Sequence, residues 1–139
     1  MSVPNPTEGV EAAAQTPYAL LGGDAAVRAL VERFYDLMDL EPQYAELRAL
    51  HPPDLAHARE KLYLFLSGWL GGPSLYIERY GHPMLRRRHL PFPIGIRERD
   101  QWLACMEQAM TEQGVTDHLR ARLREAFFQT ADWMRTQAG

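Results

Sequence analysis

Few side chains in this 139-residue chain are suited to chemistry at neutral pH: five histidines and a single cysteine lead the count. The histidines are His51, His57, His82, His89 and His118. A structural zinc site asks for four nitrogen or sulfur ligands at short spacing. The sequence has no H-E-x-x-H and no second cysteine, and Cys105 lies inside a helical run, so zinc finds no support. His89 stands apart from the others. It ends the stretch "PMLRRRH", has Leu85 one turn before it, and leads into Leu90, Phe92, Ile94 and Ile96. A neutral imidazole beside apolar walls, with basic groups at the rim, is what a haem iron needs from a protein. The same place suits a plain helix C-cap, favoured there by the helix dipole. The residues alone leave both readings open.

The elements that must carry these side chains are helical almost throughout, because apolar residues recur at steps of three and four. Asp24 is placed to cap a helix that carries Val27, Leu30, Val31, Phe34 and Met38 on one side. Pro42 breaks it, and "PQYAELRAL" gives a short piece ending at His51-Pro52-Pro53. Asp54 is placed to cap the next helix, whose stripe is Leu55, Ala58, Leu62, Phe65, Leu66 and Trp69. Gly71-Gly72-Pro73 ends it, and "SLYIERYGHP" reads as a looser segment. "PMLRRRH" predicts two turns with Pro83 at the first helical position. Pro91 and Pro93 then force an extended link. A helix from about Ile96 to Met110 follows, and another from Asp117 to Met134 with Leu119, Leu123, Phe127, Thr130 and Trp133 inward. The expectation is an all-α domain of about five or six unequal helices over residues 17–139, preceded by a flexible tail, residues 1–16. Two irregular connections, each ending in a histidine beside prolines, are candidate walls of a ligand pocket.

Composition narrows the function. Hydrophobic residues make up 46% and charged ones 24%, enough to bury a core and remain soluble. A formal net charge of −3, with Arg86-Arg87-Arg88 as the clearest basic run, argues against a nucleic-acid partner. No apolar run is long enough to span a bilayer, and the start has no secretory pattern. With one cysteine no internal disulfide forms, so a cytoplasmic, reducing setting is expected.

"GHPMLRRRHLPFPI" followed by "RDQWLACM" resembles the signature of group II truncated haemoglobins. "RFYDLMD", "LHPPDL" and "FLSGWLGGP" match the same family in the right order. The resemblance covers about residues 17–136. Its most specific part is the combination of Phe34-Tyr35, Gly71-Gly72-Pro73, Arg88-His89 with Pro91-Phe92, and Trp102. It implies a two-over-two helical sandwich around haem b, with the iron held by His89. It further implies Tyr35 and Trp102 as distal residues and His51 at a second, variable distal position. Ala58 falls where many globins have a distal histidine. Leu62 and Phe65 would face the macrocycle, with Phe34, Phe92 and Ile94 as further cofactor contacts. Lys61, Tyr76 and Arg88 match positions that often meet propionates. The link from Tyr35 to His51 is a few residues longer than in some members.

The residues are consistent with that mapping. A buried tyrosine hydroxyl and a buried indole N–H both need partners. Three polar tips around one small apolar volume suit a diatomic that gains negative charge on its outer atom, each donated bond being worth roughly 1–3 kcal/mol. The expected ligands are O2, CO, NO, cyanide, sulfide or peroxide. The expected function is binding of O2 and other small ligands. Its alternatives are NO dioxygenation or peroxidase-like chemistry fed by an external reductase, and a helical interaction module without haem. Arg86 and Arg87 read as solvated charge, and His57, His82 and His118 as surface residues.

Overall fold

The structure, a computed structural model, describes residues 16–138. The tail expected over residues 1–16 lies outside the described residues except for Thr16. That residue is the N-cap of the first helix, its hydroxyl accepting the Ala19 N–H at 3.2 Å. Every regular element among the described residues is helical. Four long helices form the frame: α2 (Asp24–Leu40), α4 (Ala56–Trp69), α7 (Ile96–Glu112) and α8 (Asp117–Trp133). Four short ones join them: α1 (Pro17–Leu21), α3 (Ala45–Ala49, after a 3-10 turn Pro42–Tyr44), α5 (Leu75–Tyr80) and α6 (Leu85–His89). α2 packs on α4 and α7, and α7 packs on α8, which makes a two-over-two sandwich. The short helices exceed the number expected because a piece of one or two turns has no periodicity to read.

The core grows from the stripe read on α2. Val27, Leu30, Val31, Phe34, Leu37 and Met38 are all 0–1% exposed and meet Cys105, Met106, Ala109 and Met110 of α7. Truncating one large member, Phe34→Ala for example, would cost about 3–5 kcal/mol. Bidentate Arg33–Glu112 ties α2 to α7, and Arg59 bridges from α4 to Glu32 and Asp36 of α2. These pairs are partly exposed and hold register more than they stabilise.

Several local details depart from the sequence reading. Asp24 is the first helical residue rather than the cap; Gly23 takes the cap at φ 83, and the Asp24 carboxylate accepts the Tyr63 hydroxyl. Asp54 accepts the Ala56 N–H, but Leu55 is the cap of α4. "SLYIERYGHP" contains α5, which buries Tyr76 and stops at Gly81 with φ 80. α6 starts at Leu85, two residues after the predicted Pro83. His82 Nδ1 accepts the Met84 N–H at 3.1 Å, and Met84 stands at φ 48, which delays helix entry. Trp133, expected inward, is 64% exposed, whereas Met134 is buried. Six residues from Phe127 rotate a helix well off its inner face, and seven return to it. The Gly71-Gly72 pair has a steric reason. A Cβ on Gly72 would lie 2.4 Å from the Tyr18 ring, so only glycine lets α1 close on this corner.

Candidate functional site

His89 is the last residue of α6, a five-residue helix with Met84 as its left-handed cap. Its Nδ1 lies 2.6 Å from the Leu85 carbonyl, one turn back. A carbonyl only accepts, so Nδ1 carries the proton and Nε2 keeps a bare lone pair. The bond that caps the helix therefore also selects the tautomer, and the two readings of His89 describe one geometry. The ring is half-buried.

A second group of candidate side chains comes from α2, α7 and the turn after α3. The Phe34 and Tyr35 rings lie edge to face at 5.0 Å, and Phe34 meets Trp102 at 5.2 Å. Tyr35 meets His51 at 5.9 Å. Tyr35 is 6% exposed, and its hydroxyl has no acceptor among the described residues. Burial pushes its pKa above the ordinary tyrosine value, so it stays a donor. Trp102 is half-buried, and its indole N–H has no acceptor among the described residues either. His51 differs. Its Nδ1 is 3.0 Å from the Leu47 carbonyl, so its Nε2 is an acceptor while the ring is neutral. Burial lowers its pKa, with the backbone bond opposing and the charge of Arg48 adding, which keeps it neutral near pH 7. The three polar tips are thus two donors and one acceptor.

The walls follow from α4. Ala58, Leu62, Phe65 and Trp69 lie along one face at helical spacing and are only half-buried. The neighbouring face, with Tyr63, Leu66 and Leu70, is fully packed. A run of rings joins the two sides: Trp102 to Phe127 at 5.3 Å, Phe127 stacked on Trp69 at 4.8 Å, then Phe65 and Tyr76 each 6.5 Å onward. At the rim the Arg88 guanidinium stands 6.0 Å over the Tyr76 ring, and the exposed Lys61 ammonium 6.0 Å over Tyr80. Ile94 is buried and Phe92 is 44% exposed; neither makes a ring contact with the others. Sequence reasoning gave Phe127 and Trp69 only as core. Their bridging part depends on how α4, α7 and α8 cross. Arg59, 5.9 Å from the Tyr35 ring, was also missed, since the sequence gives no sign that it reaches back to α2.

An all-helical two-over-two sandwich, with an imidazole at the end of a short helix and polar tips set among half-buried aromatic rings, is the architecture of a globin. Residues 16–136 match the family model described as bacterial-like globin. The chain is 42% identical over 104 residues to the group 2 truncated hemoglobin YjbI of Bacillus subtilis, covering 75% of this chain and 76% of that one. Among solved structures, a cold-adapted truncated hemoglobin from the Antarctic marine bacterium Pseudoalteromonas haloplanktis superposes with a TM-score of 0.85 at 43% identity, covering 88% of this chain and 99% of that one. A group II 2-on-2 hemoglobin from Agrobacterium tumefaciens gives 0.83 at 49% identity, covering 86% and 93%. The chain belongs to the group II truncated haemoglobins of the bacterial-like globin family. Haem iron is therefore its cofactor and a small gas such as O2 its ligand.

The residues present fit that cofactor. The site offers a neutral imidazole with a free Nε2, an apolar strip left half-buried, and two donors that no protein group uses. Among the described residues no helix is long and apolar enough to cross a membrane.

Proposed function

We propose that His89 Nε2 would hold the iron of haem b, and that Tyr35 and Trp102 would donate hydrogen bonds to the bound gas. Haem supplies an iron that takes diatomic ligands and shifts electron density onto them. Tyr35 and Trp102 donate to that density, and Leu62, Phe65, Phe34, Phe92 and Ile94 exclude water from the macrocycle. Ala58 leaves room where a larger distal side chain would stand. Lys61, Arg88 and Tyr76 receive the propionates at the rim. The observation that carries the reading is the Leu85 carbonyl bond, which leaves His89 in the ligating tautomer. The proposed ligands are O2 first, then CO, NO, cyanide and sulfide, in a cytoplasmic setting and with no nucleic-acid partner.

A second reading rests on His51. A neutral imidazole with a bare Nε2 beside Tyr35 is placed to take a proton from peroxide, which favours peroxidase-like or NO-dioxygenase work with an external reductase. The first test is spectroscopic. Reconstituted protein is expected to show an iron–histidine band that disappears in His89→Gly and returns with added imidazole. An unchanged band in that variant overturns the assignment. Rapid peroxide consumption by wild type but not His51→Phe would select the second reading.

A further inference from the structure

We propose that residues 133–137, the last residue of α8 and the segment after it, form a clamp that positions His89, with Thr136 and Arg86 as positioning residues for ligand binding. The inference rests on His89 as the iron ligand and goes beyond it, because the clamp touches neither cofactor nor ligand.

The helix that presents His89 is poorly held by its own sequence. It has five residues, no buried side chain and a left-handed residue at its start. A helix of this length is not stable alone. The loop behind it, residues 90–95, carries two prolines and has no regular structure. Beside local bonds from the Phe92 N–H to the His89 carbonyl at 3.0 Å and the Ile94 N–H to the Phe92 carbonyl at 3.1 Å, its backbone is tied to the segment after α8. Thr136 Oγ1 accepts the Ile94 N–H at 2.9 Å and donates to the Phe92 carbonyl at 2.5 Å. The Ile94 carbonyl accepts the N–H groups of Thr136 at 2.8 Å and Gln137 at 3.1 Å. From α6 itself, Arg86 donates to the carbonyls of Trp133 at 2.5 Å and Arg135 at 3.2 Å, with its guanidinium 4.9 Å over the Trp133 ring. Buried Ile94 and Met134 mark the packed part of this junction.

Both flanks of His89 are therefore pinned to one short segment, three residues before it through Arg86 and three to five after it through Phe92 and Ile94. One hydroxyl makes two of these bonds, so Thr136 has a stronger hold than its size suggests. Release of the segment would let α6 tilt and shift Nε2 from the position in which it would hold the iron. This gives the outward-facing Trp133 and the Arg86 of the basic run a use that solvation alone does not.

The test compares Thr136→Val, Thr136→Ser and Arg86→Gln with wild type. In the apoprotein, amide exchange at Ile94 and Leu90 is expected to quicken about tenfold in Thr136→Val and in Arg86→Gln, and to return to wild type in Thr136→Ser. In haem-loaded ferrous protein, the iron–histidine stretching band is expected to shift and broaden in the first two variants and recover in the third. Arg86→Gln guards against a Thr136→Val that fails to fold. Faster exchange with an unmoved band overturns the clamp as a control on His89, and unchanged exchange overturns the clamp itself. A band that persists in His89→Gly would instead sink the ligand assignment, so the two failures are told apart.

Discussion

Replacing Tyr35 by phenylalanine removes one oxygen and should move two properties in opposite directions. The ring is 6% exposed and held edge to face by Phe34 at 5.0 Å and His51 at 5.9 Å, contacts that phenylalanine keeps. The hydroxyl has no acceptor among the described residues. In the apoprotein its loss should be neutral or stabilising by up to about 1 kcal/mol, because the hydroxyl makes no bond that phenylalanine would lose and phenylalanine is the more apolar ring. With haem and O2 in place the sign reverses. A hydrogen bond to a partially charged ligand is worth about 1.5–3 kcal/mol, and each 1.36 kcal/mol is tenfold. O2 dissociation should therefore quicken roughly 10- to 150-fold in Tyr35→Phe. Urea unfolding of the apoprotein and stopped-flow displacement of O2 by CO measure the two effects. An apoprotein loss above about 1 kcal/mol would show that the hydroxyl serves the fold. A dissociation rate within about twofold of wild type would remove Tyr35 from the ligand's surroundings, since even the weakest such bond exceeds that factor.

Four further outcomes follow from the same geometry. His51 has a folded pKa below its unfolded value of about 6.5, so its contribution is complete above that pH and is lost as pH falls toward the folded value. His51→Phe apoprotein should accordingly lose part of its acid sensitivity below about pH 6.5, measured by urea titration at each pH. Over the same range wild-type O2 dissociation should slow, because protonated Nε2 becomes a donor; a flat profile would place His51 away from the ligand. Ser67 is fully buried, and its hydroxyl finds no partner. Ser67→Ala should be neutral or raise stability by up to about 1 kcal/mol, whereas a clear loss would reveal a hidden partner. Gly72→Ala should destabilise by about 1–3 kcal/mol, because its Cβ meets the Tyr18 ring at 2.4 Å. A midpoint unchanged in thermal unfolding would mean that α1 moves aside freely.

What the sequence determined by itself was local and periodic. Steps of three and four fixed the four long helices, because an apolar stripe at that period has one stable use. Residue type fixed what each candidate could do: an imidazole to ligate, a hydroxyl and an indole to donate, a glycine pair to end a helix. Neighbouring motifs were legible enough to place His89, Tyr35, His51 and Trp102 in one family pattern. The tertiary structure decided which proton sits where and which distant groups meet. His51 is an acceptor rather than a third donor only because the Leu47 carbonyl lies 3.0 Å from its Nδ1. Trp133 faces out and Met134 in because the inner face of α8 is set by Phe127, six residues before the one and seven before the other. Phe127 reaches both Trp69 and Trp102 through the crossing of three helices. Thr136 meets Ile94 across 42 residues of chain. Such contacts depend on packing angles and on the satisfaction of backbone groups in loops, and neither leaves a period in the sequence to read.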